Sequence, residues 1–256
     1  MRSLRSAASG LVLVVALGLA MAGCGNGEEA SETSAQPGNT PTPTELSPVE
    51  KLADAAAKTN QKPITVVVRG PGATTEARLD PDAKKATMKV VVDDGSETLR
   101  VDLIQIDADL YMRAPDLPGA SKKWMHSVIS AIPAGSPLRV LPESDHSGAA
   151  DLVNCVVTAE RKGGREFAGT LDLTRSRKID RVLLTELGAK GKAVPFSALT
   201  SPDGNFFEFT IDVPSVLPSY STISYEFSRM DGVDAERPAA SEVTKLPKSI
   251  IDQFDL

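Results

Sequence analysis

The sequence predicts an α+β fold in which a large curved antiparallel β-sheet is closed by one or two helices. Three observations predict it. One amphipathic stretch opens the folded region, and the hydrophobic period then changes from about 3.6 residues to 2. Pairs of residues that favour hairpin turns separate the alternating runs. With 256 residues, of which 41% are hydrophobic, the chain is long enough to bury a core.

Residues 1–23 have the layout of a secretory signal peptide. A positive start with two arginines, an apolar run over residues 11–21 and two small residues come directly before Cys24. The apolar run is shorter than the roughly 20 residues that a membrane-spanning helix needs. The small-small-Cys ending resembles the lipobox of bacterial lipoproteins, which implies a diacylglyceryl group on the Cys24 sulfur and cleavage just before it. An ordinary signal peptide with an incidental cysteine is the alternative.

Residues 24–46 are expected to form a flexible polar tether. The stretch has no aromatic residue, three prolines and many Ser, Thr and Glu, and such a composition buries too little surface to offset the entropy of ordering. Removal of residues 1–23 changes the net charge from −6 to −8, so we expect a lipid anchor rather than a basic patch to hold the protein. The acidic balance also argues against nucleic-acid binding. The predicted location is the extracytoplasmic face of the cell membrane.

Residues 47–256 are predicted to form a single domain that opens with a helix. Ser47-Pro48-Val49-Glu50 has the pattern of a capping box with proline at the first helical position. Apolar residues then recur at helical spacing, and the helix should end near residues 59–60. Residues 121–132 have apolar side chains at i, i+4 and i+8 and could form a second helix. Residues 133–149, rich in Pro and Gly, are expected to form a loop or lid.

Alternating apolar and polar residues predict the strands, because a half-buried antiparallel strand turns one face to the core and one to water. Asp94-Gly95, Gly163-Gly164 and Asp203-Gly204 are favoured hairpin pairs between such runs. The predicted strands are 63–69, 74–80, 85–92, 97–106, 108–113, 152–160, 165–174, 192–200, 205–213 and 221–230.

The titratable residues do not predict an enzyme, and we expect no catalytic residue, metal site or cofactor. His126 and His146 are the only histidines. Residues 143–148, ESDHSG, contain hydrolase residue types, but a catalytic set is assembled from separated segments, so a solvated loop is expected there. Cys155 lies among apolar residues and is expected to be a buried, inert thiol, with pairing to another protein's cysteine as the alternative.

Several fragments follow one another in an order that suggests a family. After the helix PVEKLADAAAKT come ADLYMR, GREFAGTLDLT, SPDGNFFEFTID and YEFSRMDGVDAERPA. Over about residues 47–240 the chain resembles the actinobacterial lipoproteins of the LppX/LprG type, which are related to the periplasmic carrier LolA. The resemblance implies a half-barrel of antiparallel strands, closed by helices over a hydrophobic cavity that carries an acylated ligand. Only Cys24 corresponds residue by residue, as the acylated position.

The apolar strand faces are the only features expected to bind something. Leu52 and Ala56 of the helix would cover a cavity for acyl chains. The lining residues would be Leu171, Phe207, Phe209, Tyr225 and Phe227. A closed core demands the same alternation, so both readings stay open. The expected function is therefore a membrane-anchored, monomeric lipoprotein that binds a lipid or acylated ligand. The alternative is a non-enzymatic interaction or scaffold module that contacts another envelope protein.

Overall fold

A computed structural model describes residues 45–254, except 94, 96, 143 and 177. The predicted signal peptide, most of the predicted tether and Cys24 lie outside the described residues. The described residues belong to one compact unit.

A single large β-sheet dominates the fold, which is α+β as predicted. Twelve strands form it in the order β12-β6-β5-β4-β3-β2-β1-β11-β10-β9-β8-β7, and all neighbours are antiparallel except β12 and β6. The sheet is curved but not closed. The strands are β1 (Ile64–Gly70), β2 (Ala73–Asp80), β3 (Lys85–Asp93), β4 (Thr98–Ile106), β5 (Asp109–Arg113), β6 (Trp124–Val128), β7 (Val156–Gly163), β8 (Glu166–Leu171), β9 (Val194–Thr200), β10 (Phe206–Ile211), β11 (Ile223–Arg229) and β12 (Val243–Lys245).

Four short helices accompany the sheet: α1 (Pro48–Thr59), α2 (Ala149–Asn154), α3 (Arg181–Leu187) and α4 (Lys248–Ile251). The capping box predicted for α1 is present. The Glu50 amide donates to Ser47 Oγ at 3.3 Å, and the Ser47 amide donates to the Glu50 carboxylate at 2.7 Å. Each bond satisfies a donor that the first helical turn would otherwise leave unpaired.

Each of the ten predicted strands is present, and the predicted turns explain their ends. Gly95, Gly164 and Gly204 adopt positive φ angles of 86°, 50° and 79°. A side chain is disfavoured in that region of backbone space, which is why glycine marks these hairpins.

Two predictions of local structure are wrong. Residues 121–132 do not form a helix: they contain β6, which pairs with β5, followed by a 3₁₀ turn over Ile129–Ala131. Residues four apart also lie on the same face of a strand, so the spacing did not distinguish the two structures, and pairing with β5 decided it. The strand predicted over 152–160 begins only at Val156, because the chain first forms α2.

The sheet has a covered inner face and an outer face. Apolar side chains of the strands, the helices and the connecting segments form one large core on the inner side. On the outer side, the chain after β11 crosses the ends of several strands. A second, smaller cluster there joins Val233 and Ala235 to Ile106. This crossing segment, residues 230–242, leads into β12 at the edge of β6.

Candidate functional site

Side chains on the inner face differ between the two sides of β1. One row of paired residues crosses β6, β5, β4 and β3 in the order Met125, Met112, Leu103 and Met88. We call the inner face of β2–β6 the methionine half. Because methionine is unbranched and polarizable, such a row can adapt to ligands or neighbours of different shape.

The inner face of β7–β11, here the aromatic half, is built from rings. Phe196 and Phe209 stack with centroids 4.9 Å apart, and Phe206 meets Phe209 edge-on at 5.7 Å. Phe227 lies 5.8 Å from Phe206 and 6.4 Å from Tyr225. Offset and edge-on ring pairs of this kind add stability beyond the area they bury. This half is therefore a tightly specified core.

Helix α1 covers the aromatic half and is fixed to it at its C-terminal end. The Thr59 side chain is fully buried; its hydroxyl donates to the Ala55 carbonyl at 2.7 Å and accepts from the Phe206 amide at 2.9 Å. The side-chain oxygen of Asn60 accepts from the amide and the hydroxyl of Ser147, at 3.1 and 2.9 Å. These bonds join the end of α1 both to the sheet and to the segment before α2.

A segment with little regular structure, residues 129–148, reaches the methionine half. The amide of Leu141 donates to Oε1 of Gln105, a buried residue of the inner face, at 3.0 Å. The guanidinium of Arg139 donates to the carbonyls of Ile132 and Pro133 within the same segment. The cover of this half thus depends on a side-chain hydrogen bond to the sheet, on apolar contacts of Ile132, Leu138 and Val140, and, at its C-terminal end, on the bonds of Ser147 to Asn60.

The inner face is incompletely covered at one end. Toward the β1–β2 turn and the β3–β4 hairpin, burial decreases along each strand: Ala86 is fully buried, Met88 and Val90 are half-buried and Val92 is 37% exposed. Val68 of β1 and Leu99 of β4 are half-buried in the same region. We call the set of Val68, Met88, Val90, Val92 and Leu99 the open strip. These five residues are apolar, and all but Val92 pack against the core, while the half-buried Thr75 of β2 lies between Val68 and Val90 in the register.

The sequence-predicted site residues fall into three groups. Leu52, Ala56, Leu171, Phe209, Tyr225 and Phe227 are buried together in the main core. Cys24 lies outside the described residues. Phe207 does not join the others, since it is 52% exposed.

The prediction that Phe207 faces the interior is wrong, and a β-bulge is the reason. Between β9 and β10 the register advances from Phe206–Thr200 to Glu208–Leu199, so Phe207 is an extra residue without a partner. A bulge shifts the alternation by one position, so that Phe206 faces the interior and Phe207 does not. The Phe206 amide donates to the Thr59 hydroxyl, so the bulge lies where α1 is fixed to the sheet. The open strip was not identified from the sequence, because alternation gives the face of a residue but not its cover.

The ESDHSG stretch is a structural connection rather than the solvated loop that was predicted. The Asp145 carboxylate accepts from the amides of Ala150 and Asp151, each at 2.9 Å, and so caps α2. The two ring nitrogens of His146 lie 3.2 Å from the carbonyl oxygens of Pro142 and Asn60. These side chains hold the segment to α1.

Two titratable side chains of the core, Cys155 and Tyr225, are neutral at ordinary pH. Burial raises the pKa of the Cys155 thiol to about 11 and, with nearby Asp151 as a smaller cause, that of the Tyr225 phenol to about 12. Desolvation disfavours the charged form of both groups. On the outer face, a hydrogen bond from His126, 2.9 Å away, lowers the pKa of the Asp109 carboxyl. The covered face therefore offers an uncharged environment.

The outer face carries a shallow groove of about 320 Å³. A row of paired residues with alternating charge crosses it: Glu76, Lys89, Asp102 and Arg113. The Arg113 guanidinium bonds the Asp102 carboxylate at 2.8 Å and lies 4.8 Å from the centroid of the Trp124 ring. The groove is open to solvent and mixed in charge, so it suits a polar protein segment better than an acyl chain.

Over the part of the chain that the structure describes, no group of three or more His, Cys, Asp or Glu residues could hold a metal ion. Within the same residues, no helix is both long and apolar enough to cross a bilayer. Comparison with known proteins found no protein-family profile and no curated protein that matches the chain.

Proposed function

We propose that this protein is a lipid-anchored lipoprotein of the extracytoplasmic face, with a LolA-like half-barrel that holds a lipid or acylated ligand against its inner face. The observation that carries the proposal is the open strip. Apolar side chains stay half-exposed there while the rest of the same face is buried, so part of the inner face is accessible to a ligand without any unfolding.

The chemistry of the inner face supports an acyl chain as the occupant. The five residues of the open strip are apolar, the half-buried Thr75 between Val68 and Val90 adds a hydroxyl but no charge, and the core that continues from the strip is apolar apart from isolated residues such as Gln105. Each methylene buried against such a surface contributes about 0.8 kcal/mol. A polar headgroup would lose its hydration there, so it should remain at the strip while the chain inserts.

The cover of the methionine half supports the path of insertion. An acyl chain that enters at the strip would advance along Met88 and Leu103 beneath residues 129–148, which a Gln105 hydrogen bond fixes to the sheet. Displacement of the middle part of this segment would break the Leu141–Gln105 bond, while Ile129 stays bonded to Ala108 and Ser147 to Asn60. The methionine side chains can take up the change of volume. The aromatic half, fixed by α1, would remain in place.

Val91 and Val92 provide a matched test. They are neighbours in β3 and almost equally exposed, at 38% and 37%, but only Val92 is on the inner face. In a titration of the protein with a fluorescent fatty acid, V92D should weaken binding at least tenfold because it places a charge beside the chain. V91D should bind like the native protein. Equal affinities in the three proteins, or no binding at all, would contradict the proposal.

Attachment to the membrane is a separate part of the proposal with its own test. Acylation of Cys24 would supply two buried chains, which is what stable anchoring requires. The native chain expressed in its own host should fractionate with the membrane, and C24S should be released into the soluble extracytoplasmic fraction. Firm retention of C24S with an uncleaved N-terminus would reject the anchor, whatever the fatty-acid titration shows.

The outer groove favours a second candidate, a non-enzymatic module that contacts an envelope protein. Trp124 and Arg113 combine a half-buried aromatic ring with an exposed charge, as protein interfaces often do. If this second function is correct, a photo-crosslinking residue at position 124 should capture a protein partner in stoichiometric amount. If the ligand-binding function is correct, the same residue at position 92 should label lipid. A single labelled position decides between the two.

A further inference from the structure

The connection between β8 and β9 has the opposite charge to the rest of the chain. Residues 172–192 contain six basic and three acidic residues, a local net charge of +3, whereas the whole chain carries −6. The segment comprises α3 between two 3₁₀ turns, Leu173–Arg175 and Gly188–Lys192, which contact one another. The overall charge thus conceals a basic region.

Two of the three acidic side chains of this segment bond to nearby backbone amides, and the third, Glu186 of α3, is exposed and hydrogen-bonds Tyr220. The Asp180 carboxylate caps α3 by accepting from the amides of Val182 and Leu183. The Asp172 carboxylate accepts from Thr174 and pairs with Arg175 at 3.3 Å. Bonds of this kind direct the carboxylates toward the backbone.

Several basic side chains are not so engaged. Arg181, Lys190 and Lys192 are exposed and form no ion pair with any described residue. Lys190 instead donates to the carbonyl of Val216 at 3.1 Å, which joins the segment to the chain after β10. The region therefore presents unpaired positive charge to solvent.

An exposed apolar side chain lies within this basic region. Val182 of α3 is 63% exposed, more than any other large hydrophobic residue in the described part of the chain that reaches the surface. Leu183 and Leu187 anchor α3 in the core, which turns Val182 outward. Half-buried Ile179 and Leu184 of the same segment, with Leu217 and Tyr220 of the adjoining chain, add to the apolar area. We call residues 172–192 with residues 213–220 the α3 surface.

We propose that the α3 surface docks the domain onto anionic lipid headgroups. Its free basic side chains complement the phosphates, each contributing about a factor of five to binding near an anionic surface. Val182 and its apolar neighbours would enter the interfacial region, where a few apolar groups beside Lys and Arg strengthen attachment. The proposal goes beyond ligand binding and does not require an acyl chain in the interior.

The position of the surface is compatible with an N-terminal anchor, if the anchor proposed above exists. Glu45, where the described chain begins, interacts electrostatically with Arg161 near the β7–β8 hairpin, at the other end of β8 from the α3 surface. The 21 residues from 24 to 44 span at most about 70 Å, more than the roughly 20 Å length of β8. An anchored domain can therefore turn the α3 surface to the bilayer.

Vesicle flotation tests the proposal, using the full chain with C24S so that no acyl anchor contributes. The protein should bind vesicles that contain a third phosphatidylglycerol, bind pure phosphatidylcholine weakly, and dissociate as salt is raised. The double reversal K190E/K192E should weaken binding about 30-fold or more. The matched reversal K162E/R165E in the β7–β8 hairpin should have an effect below threefold.

The apolar contribution is tested by V182D against V157D, two exposed valines that lie far apart in the fold. Only V182D should reduce vesicle binding. Equal losses from both pairs of variants, or no binding to anionic vesicles, would overturn the proposal. Binding to polyglutamate but not to vesicles would also overturn it, in favour of an acidic protein partner. Fatty-acid titration of the same variants should be unchanged, which separates this proposal from the ligand-binding one.

Discussion

The two halves of the inner face are built from different side chains and are covered in different ways. In the aromatic half, stacked and edge-on rings lie under α1, whose end is fixed by Thr59 and Asn60. In the methionine half, a flexible row lies under residues 129–148, which a Gln105 bond joins to the sheet. The difference indicates that the aromatic half maintains the fold, and in the proposed function the methionine half is the one that changes shape around a ligand.

The largest expected effect comes from removing a ring of the aromatic half. Phe209 is fully buried and touches two other rings, so F209A should lower the free energy of unfolding by about 4 kcal/mol. F207A in the same strand removes the same atoms from an exposed bulge and should change it by less than about 0.5 kcal/mol. Urea unfolding measures both. Similar losses would mean that the rings do not hold this half together.

The next effect is a loss of stability at alkaline pH that originates in the aromatic half. Burial raises the pKa of Cys155 to about 11 and that of Tyr225 to about 12, so folding favours their neutral forms. The resulting stability is complete below the pKa values of the unfolded chain and is lost as pH rises through those of the folded one. We expect the free energy of unfolding to fall by about 3 kcal/mol between pH 8 and pH 11.

The variant Y225F should recover about 1 kcal/mol of that loss at pH 11, because it removes one of the two groups. The control is the native protein, unfolded by urea in parallel at each pH. An unchanged pH dependence in Y225F would show that the phenol does not contribute.

A smaller effect compares the two hydrogen bonds that fix the covers. T59V deprives the buried Phe206 amide of its acceptor and should cost about 2 kcal/mol. Q105M removes the acceptor of the Leu141 amide, which is only half-buried and can bind water instead, so it should cost about 1 kcal/mol. Hydrogen exchange should show faster opening of residues 129–148 than of α1 in the native protein. The reverse order would contradict the proposed path of insertion.

The smallest effect tests the methionine row itself. M112L keeps the volume of a fully buried side chain and should cost about 1 kcal/mol or less, a shift of a few degrees in Tm. Calorimetry measures it. A loss as large as that of F209A would mean that the row is packed as rigidly as the rings, and the contrast between the halves would disappear.

The sequence was most informative where alternation and turn chemistry agree. Each of the ten predicted strands is present, and Ser47 and Glu50 cap α1 as predicted, because alternation, turn residues and cap residues are signals carried by the local sequence. The sequence-based prediction failed where residues far apart in the chain determine the local structure. The parallel pairing of β12 with β6 has no local signal, and the bulge at Phe207 moves a side chain that alternation places inside.

The candidate site was predictable in composition but not in exposure. Leu52, Phe209 and Phe227 are buried as a core or cavity would require, since both demand apolar side chains at alternate positions. Whether part of the inner face stays exposed depends on how far residues 129–148 extend over it. The irregular path of these residues follows from tertiary contacts such as the Gln105–Leu141 bond.

The pairing of β1 with β11 in the middle of the sheet governs when this chain can fold. During synthesis or export from the N-terminus, β1–β6 emerge long before the strand that joins them to the other half. The strands β1–β6 can pair with one another in sequence, but β1 lacks its second partner until residues 223–229 are available. Until then its backbone donors and acceptors on that side are open to other strands, so the early meander exposes an edge to association.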